Sequence, residues 1–397
     1  MRQCKKEIKV LFFDHAPVMG GAEFSLLDIL TGMKEGPVKA VLLAPKQGKL
    51  YSLAMTNGIE SVDFPFFQGI LSVKRTDLEK KPLLILMGIR EIMRAVLFIK
   101  MVLKRNNYSV IYTNTLKSHL LGGLAGKLAG VKVIWHFRDI PVQKISRIFA
   151  LLGARFFPDR IIAVSQAAAG QFGRKTKKIT VIYNGIDIDK IFQLSLQKIL
   201  PTVLSGVMFD ANNQMVGIVG QISRWKGQDV FLKAAEIVLK RHPRTKFLVI
   251  GEDIFGEEGF KNDLQEYVRE KGLAKNVIFT GQLPNVYPLI KKLDVLVHSS
   301  IEPEPFGRVI VEAMALGTSV VATKGGAVEE IVSDGKDGLL VDPGDERSLA
   351  QAVEKLLTER SLRADYIERG SIKTKEIFGI DVMLNKISDT IIQEFEI

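Results

Sequence analysis

The sequence predicts an α/β protein built from two doubly wound parallel sheets, and three observations predict it. Apolar runs of strand length alternate with helical stretches along the whole chain. The alternation completes one set before Asn184-Gly185, a turn signal, and a second set begins near residue 213. The segments able to carry chemistry follow strand candidates, at the carboxyl ends where open parallel sheets bind ligands.

In the first set the predicted strands are Ile8–Asp14, Val38–Ala44, Ser61–Phe66, Val110–Thr115, Val131–Phe137, Arg160–Ser165 and Ile179–Tyr183. Helical stretches such as Glu23–Met33 and Leu120–Leu128 separate them. In the second set they are Met215–Gly220, Lys246–Gly251, Asn276–Thr280, Asp294–His298, Ser319–Thr323 and Gly338–Val341. Asp229–Lys240, Asn262–Lys271, Gly307–Leu316 and Ser348–Thr358 read as the intervening helices. The expected join is Asn184–Asn213, which shows no clear period. Two sheets on one link favour a cleft between domains, a common place for a small-molecule site.

Composition narrows the class. At 397 residues, 47% hydrophobic and with 34 glycines, the chain is folded and turn-rich. The single cysteine, Cys4, cannot form an internal disulfide, and no Cys/His ligand spacing occurs, so a reducing interior fits. The opening MRQCKKEIKVLFFDH carries only a short apolar run and reads as a first strand, not a signal peptide.

Charge is divided unevenly. Residues 1–190 hold 30 Lys+Arg against 14 Asp+Glu, a net +16, and residues 191–397 hold 25 against 30, a net −5. The first half therefore faces something anionic. No nucleic-acid-binding motif or basic-aromatic platform is present, so nucleic acid is not expected. An anionic membrane surface or a lipid-phosphate acceptor explains the bias better. Residues 83–105 are long enough to span a bilayer, but Arg90, Glu91, Arg94 and Lys100 interrupt them. An ordinary helix packed on a sheet is the first reading, and an interfacial helix lying on lipid the alternative. Phe64, Phe66, Phe67, Ile70 and Leu71, followed by Lys74 and Arg75, add weight to the second.

The most informative stretch is EPEPFGRVIVEAMALG, residues 302–317, where two carboxylates, Glu304 and Glu312, bracket a strand-to-helix turn. Pro305 suits a first helical position, which would put Glu304 at the helix mouth. Helix mouths present unpaired N–H groups and partial positive charge, so phosphate can settle there while Glu304 accepts hydroxyl protons from a sugar. The plainer alternative is a surface Arg308–Glu312 pair. Gly220-Gln-Ile-Ser-Arg224-Trp-Lys226-Gly-Gln-Asp229 sets two cations on the loop after a strand, suited to a diphosphate or simply to solvent. Gly20 and Gly21, ahead of Glu23, would let backbone approach a ligand, but they match neither a dinucleotide fingerprint nor a Walker loop. His136 closes a strand and is open to two roles, a cleft group or a buried structural histidine. Lys324-Gly325-Gly326 closes another strand, as a ligand contact or a plain turn.

Taken in order, GGAE at 20–23, His136, WKGQD at 225–229, EPEPFGRVIVEAMALG and KGGAVEEIVSDGKDGLL at 324–340 resemble glycosyltransferase family 4 over nearly the whole chain. The resemblance implies a GT-B fold: two Rossmann-like domains facing across a cleft, residues 1–190 on the acceptor side and 191–375 binding the donor. The last helix, 376–397, would return to the first domain. It also implies retaining transfer from a nucleoside diphosphate sugar, a co-substrate and not a cofactor, to a saccharide or lipid-linked acceptor, with no bound metal. Glu304 corresponds to the family's first E-x7-E carboxylate on the donor sugar, and Phe306 and Gly307 would offer backbone amides to the same sugar. Glu312 corresponds to the second carboxylate, near the ribose, and Lys226 to the diphosphate lysine. Gly20 and Gly21 would approach the diphosphate from the other domain, and His136 would stand near the reacting carbon. Where the family has Gly-Arg this chain has Gly220-Gln221, so Arg224 is the candidate substitute. Apart from the resemblance, the lone cysteine, the +16 first half and the apolar-basic segments 64–75 and 83–105 lead one to expect a cytoplasmic protein in peripheral contact with the inner membrane face. A GT-B sugar-nucleotide epimerase and a non-catalytic sugar-nucleotide-binding subunit are the alternatives.

Overall fold

A computed structural model describes residues 8–65, 82–173, 178–198, 213–253 and 258–396. The chain forms two compact units: Met1–Gly185 with Ile380–Ile397, and Ile186–Gly379. The apolar-basic stretch from Phe66 to Arg75 and residues 199–212 of the expected join lie outside the described residues.

The first unit carries β1 (Ile8–Phe13), β2 (Val38–Ala44), β3 (Ser61–Asp63), β4 (Val110–Thr113), β5 (Lys132–Phe137), β6 (Arg160–Ala163) and β7 (Ile179–Val181). They form one parallel sheet ordered β3-β2-β1-β4-β5-β6-β7. Its helices are α1 (Gly21–Gly32), α2 (Lys49–Thr56), α3 (Pro82–Arg105), α4 (Leu116–Ala129) and α5 (Lys144–Phe156). Strand order reverses direction at β1, and right-handed crossovers then put α1 and α2 on one face and α3, α4 and α5 on the other. Val10, Phe12, Tyr112 and Ile134 of the strands pack with Leu26, Ile29 and Leu30 of α1. The same core contains Met383, Ile387 and Ile391, which arrive on the final helix, Ile380–Glu396.

The second unit repeats the plan with β8 (Met215–Val219), β9 (Lys246–Ile250), β10 (Val277–Gly281), β11 (Val295–His298), β12 (Ser319–Thr323) and β13 (Leu339–Val341). All neighbours are parallel, in the order β10-β9-β8-β11-β12-β13. Val216, Val249, Val295, Val297 and Val321 are buried on one face of the sheet and Leu248, Leu296 and Val320 on the other, as parallel strands require. Phe231 and Val238 of α6 (Gln228–Leu239) and Leu349 and Val353 of the helix Glu346–Thr358 cover the first of these faces. The first unit ends at Gly185 and not at residue 190, because Ile186 N–H donates to Phe378 O at 2.9 Å and pairs with Gly379.

Among the described residues no helix is long and apolar enough to cross a membrane. Residues 83–105 form α3, whose Ala95, Val96, Ile99 and Leu103 are buried in the unit. That is the packed-helix reading, although its outer side keeps apolar residues that recur below.

Candidate active site

In the second unit the loops after β8, β11 and β12 meet. After β8 the chain turns through a short 3-10 segment, Arg224–Lys226, and Gly227 follows with φ 68°. A Cβ at Gly227 would lie 2.0 Å from Ser299 O, so only glycine lets the two loops touch. Ser299 Oγ donates to Gly227 O at 2.8 Å, and Ile301 N–H to Trp225 O at 2.8 Å, fixing the β8 loop to the β11 loop. Lys226 Nζ is thereby held 2.6 Å from Glu304 Oε2 and 3.9 Å from the Trp225 ring centroid.

Glu304 is anchored from the other side too. Ala327 N–H donates to its carbonyl at 2.8 Å, and a Cβ at Gly326 would fall 2.1 Å from that oxygen. Gly326 is therefore demanded by the backbone of Glu304, and Gly325 by its own φ of 128°. His298 Nε2 lies 3.2 Å from Glu304 Oε2, and Ser300 Oγ lies 3.4 Å from it. Burial pushes the Glu304 carboxyl up, but Lys226 and His298 pull harder, and it rests well below the usual carboxylate range. It is therefore an anion with acceptor capacity, not a proton donor.

The helix that follows begins at Arg308, not at Pro305. It runs Arg308–Ala315 (α7) with Gly307 as its cap at φ 91°. A left-handed cap lets the chain turn after Phe306, whose ring is buried against Phe378 at 5.8 Å. Glu304 thus stands before the mouth and not at it. Glu312 is buried, and Arg308 Nε donates to its Oε1 at 3.3 Å, so the pair is no solvated surface bridge. Arg224, the expected substitute for a second diphosphate cation, ion-pairs with Asp263 at 3.2 Å and lies 4.8 Å from the Phe260 ring. That pair is exposed and therefore weak, so a diphosphate could displace it.

The first unit builds a second polar cluster at its own strand ends. Asp14, after β1, accepts from Ala16 N–H and from Asn114 Nδ2, each at 2.7 Å. Arg138, after β5, donates from Nε to Asn114 Oδ1 at 2.6 Å and from Nη1 to Ser25 Oγ at 3.0 Å and to Asn184 Oδ1. Its Nη2 donates to His136 Nδ1 at 2.9 Å, which the Tyr112 hydroxyl also reaches. His136 is fully buried, and burial with the Arg138 charge pushes its pKa well below 6.5. It is a neutral imidazole in the core of the cluster, not a group titrating near neutrality on a surface. Its Nε2 has no hydrogen-bond partner among the described residues. Gly20 caps α1, and its N–H donates to Glu23 Oε2 at 2.8 Å. Nothing occupies the space of a Cβ at Gly21, so the unit itself does not require glycine there. Burial raises Glu23, and burial with the Glu23 charge raises Asp14 to about 7.

His298, Ser299, Asp14, Asn114 and Arg138 were not singled out in the sequence. Their one signal is a polar residue directly after a buried apolar strand, which no spacing motif advertises.

Comparison with known proteins gives this arrangement a family. The profile of Glycosyl transferases group 1 matches residues 207–373, and that of Glycosyltransferase Family 4 matches residues 19–190. The lipopolysaccharide core biosynthesis mannosyltransferase LpsB of Rhizobium meliloti is 30% identical over 225 residues, 56% of this chain and 62% of that protein. The D-inositol 3-phosphate glycosyltransferase of Paenarthrobacter aurescens is 34% identical over 215 residues, 52% and 50% of the two chains. This chain therefore spans about half to three-fifths of the length of those curated relatives. The crystal structure of Anabaena Alr3699/HepE in complex with UDP-glucose superposes with TM-score 0.80 at 27% identity, covering 97% of this chain and 100% of that one. The two parallel-sheet α/β units are those of the GT-B fold.

Proposed function

We propose, for a chain that belongs to the group 1 glycosyltransferases of the family 4 type, transfer of a hexosyl unit from a nucleoside diphosphate sugar to an acceptor hydroxyl with retained anomeric configuration. The observation that carries this is the Lys226–Glu304 pair at 2.6 Å, two opposite charges sharing one partly enclosed place beside the start of α7. A sugar diphosphate has a matching pair of needs. Its phosphoryl oxygens take Lys226 and the N–H groups at the helix start, and its sugar hydroxyls donate to Glu304. Ligand binding would then exchange one ion pair for two charge-assisted contacts. The complex of Alr3699/HepE with UDP-glucose supports a nucleotide-sugar donor.

In the reaction the bond from the sugar anomeric carbon to the diphosphate oxygen breaks, and its electron pair leaves with the phosphate. The acceptor oxygen bonds to the same carbon from the same face, and its proton passes to the departing phosphate oxygen. Lys226 stabilises the charge that grows on that oxygen. Glu304 and Glu312 lie on one loop and helix and are not spaced across a bond, so they do not form a hydrolase pair. The acceptor is proposed as a saccharide or lipid-linked saccharide, supported by the +16 balance of residues 1–190 and by the lipopolysaccharide-core role in the name of LpsB.

A thermal-shift screen of UDP-, GDP- and ADP-sugars is expected to raise the unfolding temperature with one of them. Glu304→Ala should then abolish transfer, and an inverted product from the wild type would overturn retention. Gln221 motivates a second reading, a sugar-nucleotide-binding protein that turns over slowly or not at all. Gln221→Arg restoring turnover to a protein that binds donor but does not transfer would favour it.

A further inference from the structure

Helix α5, Lys144–Phe156, packs with its polarity reversed. Its buried positions are Ala150, Gly153 and Ala154, and a Cβ at Gly153 would meet Trp135 at 2.7 Å and Leu120 at 2.8 Å. Only small residues let this helix approach the sheet. Its bulky residues face the other way: Ile145, Ile148, Phe149, Leu152 and Phe156 are 46–64% exposed. At the helical repeat they form one stripe about 100° wide, the width that a surface helix normally turns to the core. Lys144, Arg147 and Arg155 lie together along one edge of that stripe, and no acidic residue occurs from Ile140 to Pro158. Helix α3, on the same face of the sheet, adds a parallel feature: Ile89, Ile92, Met93, Leu97 and Met101 are 42–52% exposed. Helix α4 lies between the two and packs against both.

We infer that α5 docks this protein on an anionic lipid bilayer, with its apolar stripe at the acyl boundary and its three cations on lipid phosphates. The charge of the region selects this occupant. A second copy of the chain meeting α5 about a two-fold axis would set these same cations against one another. A bilayer of anionic lipid instead supplies the opposite charge and an apolar interior together. The purpose of such docking rests on the lipid-linked acceptor proposed above, but its geometry does not.

Sedimentation of the full chain with vesicles tests the inference. The protein should bind mixed phosphatidylglycerol–phosphatidylcholine vesicles at low salt, release as salt rises, and leave pure phosphatidylcholine alone. Ile148→Asp combined with Phe149→Asp should weaken binding at least about tenfold, and Lys144→Glu with Arg147→Glu about tenfold or more, each at an unchanged unfolding temperature. Equal binding to neutral and anionic vesicles, wild-type binding by both variants, or no vesicle binding would overturn it. So would a wild-type dimer that Ile148→Asp with Phe149→Asp converts to monomer. Vesicle binding is measured without turnover, so a protein that sediments with lipid yet transfers no sugar would sink the proposed function and leave this docking standing.

Discussion

The two sheets each end in a buried or half-buried charged cluster, and the clusters balance their charge by opposite means. In the second unit Glu304 is ionised because Lys226 and His298 stand against it. In the first unit Arg138 spends its donors on Asn114, Ser25, Asn184 and His136, and the Asp14 carboxyl is left to hold a proton up to about pH 7. One cluster carries an exchangeable ion pair; the other holds the Arg138 guanidinium in a lattice of neutral hydrogen-bond partners. The difference teaches where chemistry can occur. A ligand can displace Lys226 from Glu304 at little net electrostatic loss, because it replaces each partner with another. Displacing Arg138 would strand several buried acceptors at once, so it serves as scaffold.

Three measurements would break or sharpen that contrast, the largest effect first. Lys226→Ala should lower turnover by about 10²–10³-fold, the loss expected when one preorganised stabiliser of a leaving group is removed; near-normal turnover would remove Lys226 from the reaction. Arg138→Met should leave turnover aside and cost about 3 kcal/mol of first-unit stability, because its acceptors stay buried and unpaired. Arg138→Lys should not recover it, since an ammonium cannot reproduce the fork. Denaturant melts showing no loss in either variant would refute the lattice.

The smallest effect concerns pH. Asp14 is raised from an ordinary 3.8 to about 7, so its folded form keeps a proton that the unfolded chain releases. Its contribution is full below pH 3.8 and fades as pH rises through about 7. Asp14→Asn should flatten that decline, read as the slope of unfolding stability against pH between 3.8 and about 7. Glu304 works the other way: its pKa is depressed, so its contribution is present above the ordinary 4.5 and is lost as pH falls. Opposite pH slopes for the two units, each abolished by its own substitution, are the signature to seek.

The strands were legible because parallel sheets bury both faces, so each strand is a short apolar run bounded by turn residues. All the described strands but one fall within the ranges expected from the sequence, with ends trimmed by up to three residues, and β10 runs one residue past Thr280 to Gly281. The Lys226 loop and Glu304 were legible because glycines and prolines mark tight turns at strand ends. The start of α7 was not: Pro305 suggests a first helical position, but Gly307 adopts φ 91° and moves the start to Arg308. Asp14, Asn114, Arg138 and His298 escaped notice because they act singly, and their partners lie up to about a hundred residues away in the chain. The sidedness of α5 is illegible for a different reason. Its stripe is visible in the residue order, but only Trp135 pressing on Gly153 decides which side must face inward.

The final helix has a consequence for biosynthesis. Met383, Ile387 and Ile391 complete the core around β1 and α1, yet they emerge only after the entire Ile186–Gly379 unit has been made. During translation the second unit can close while the first still waits with an apolar groove uncovered. The half that leaves the ribosome earliest is thus the last to mature, and a nascent chain halted near Gly379 would be the species most in need of a chaperone.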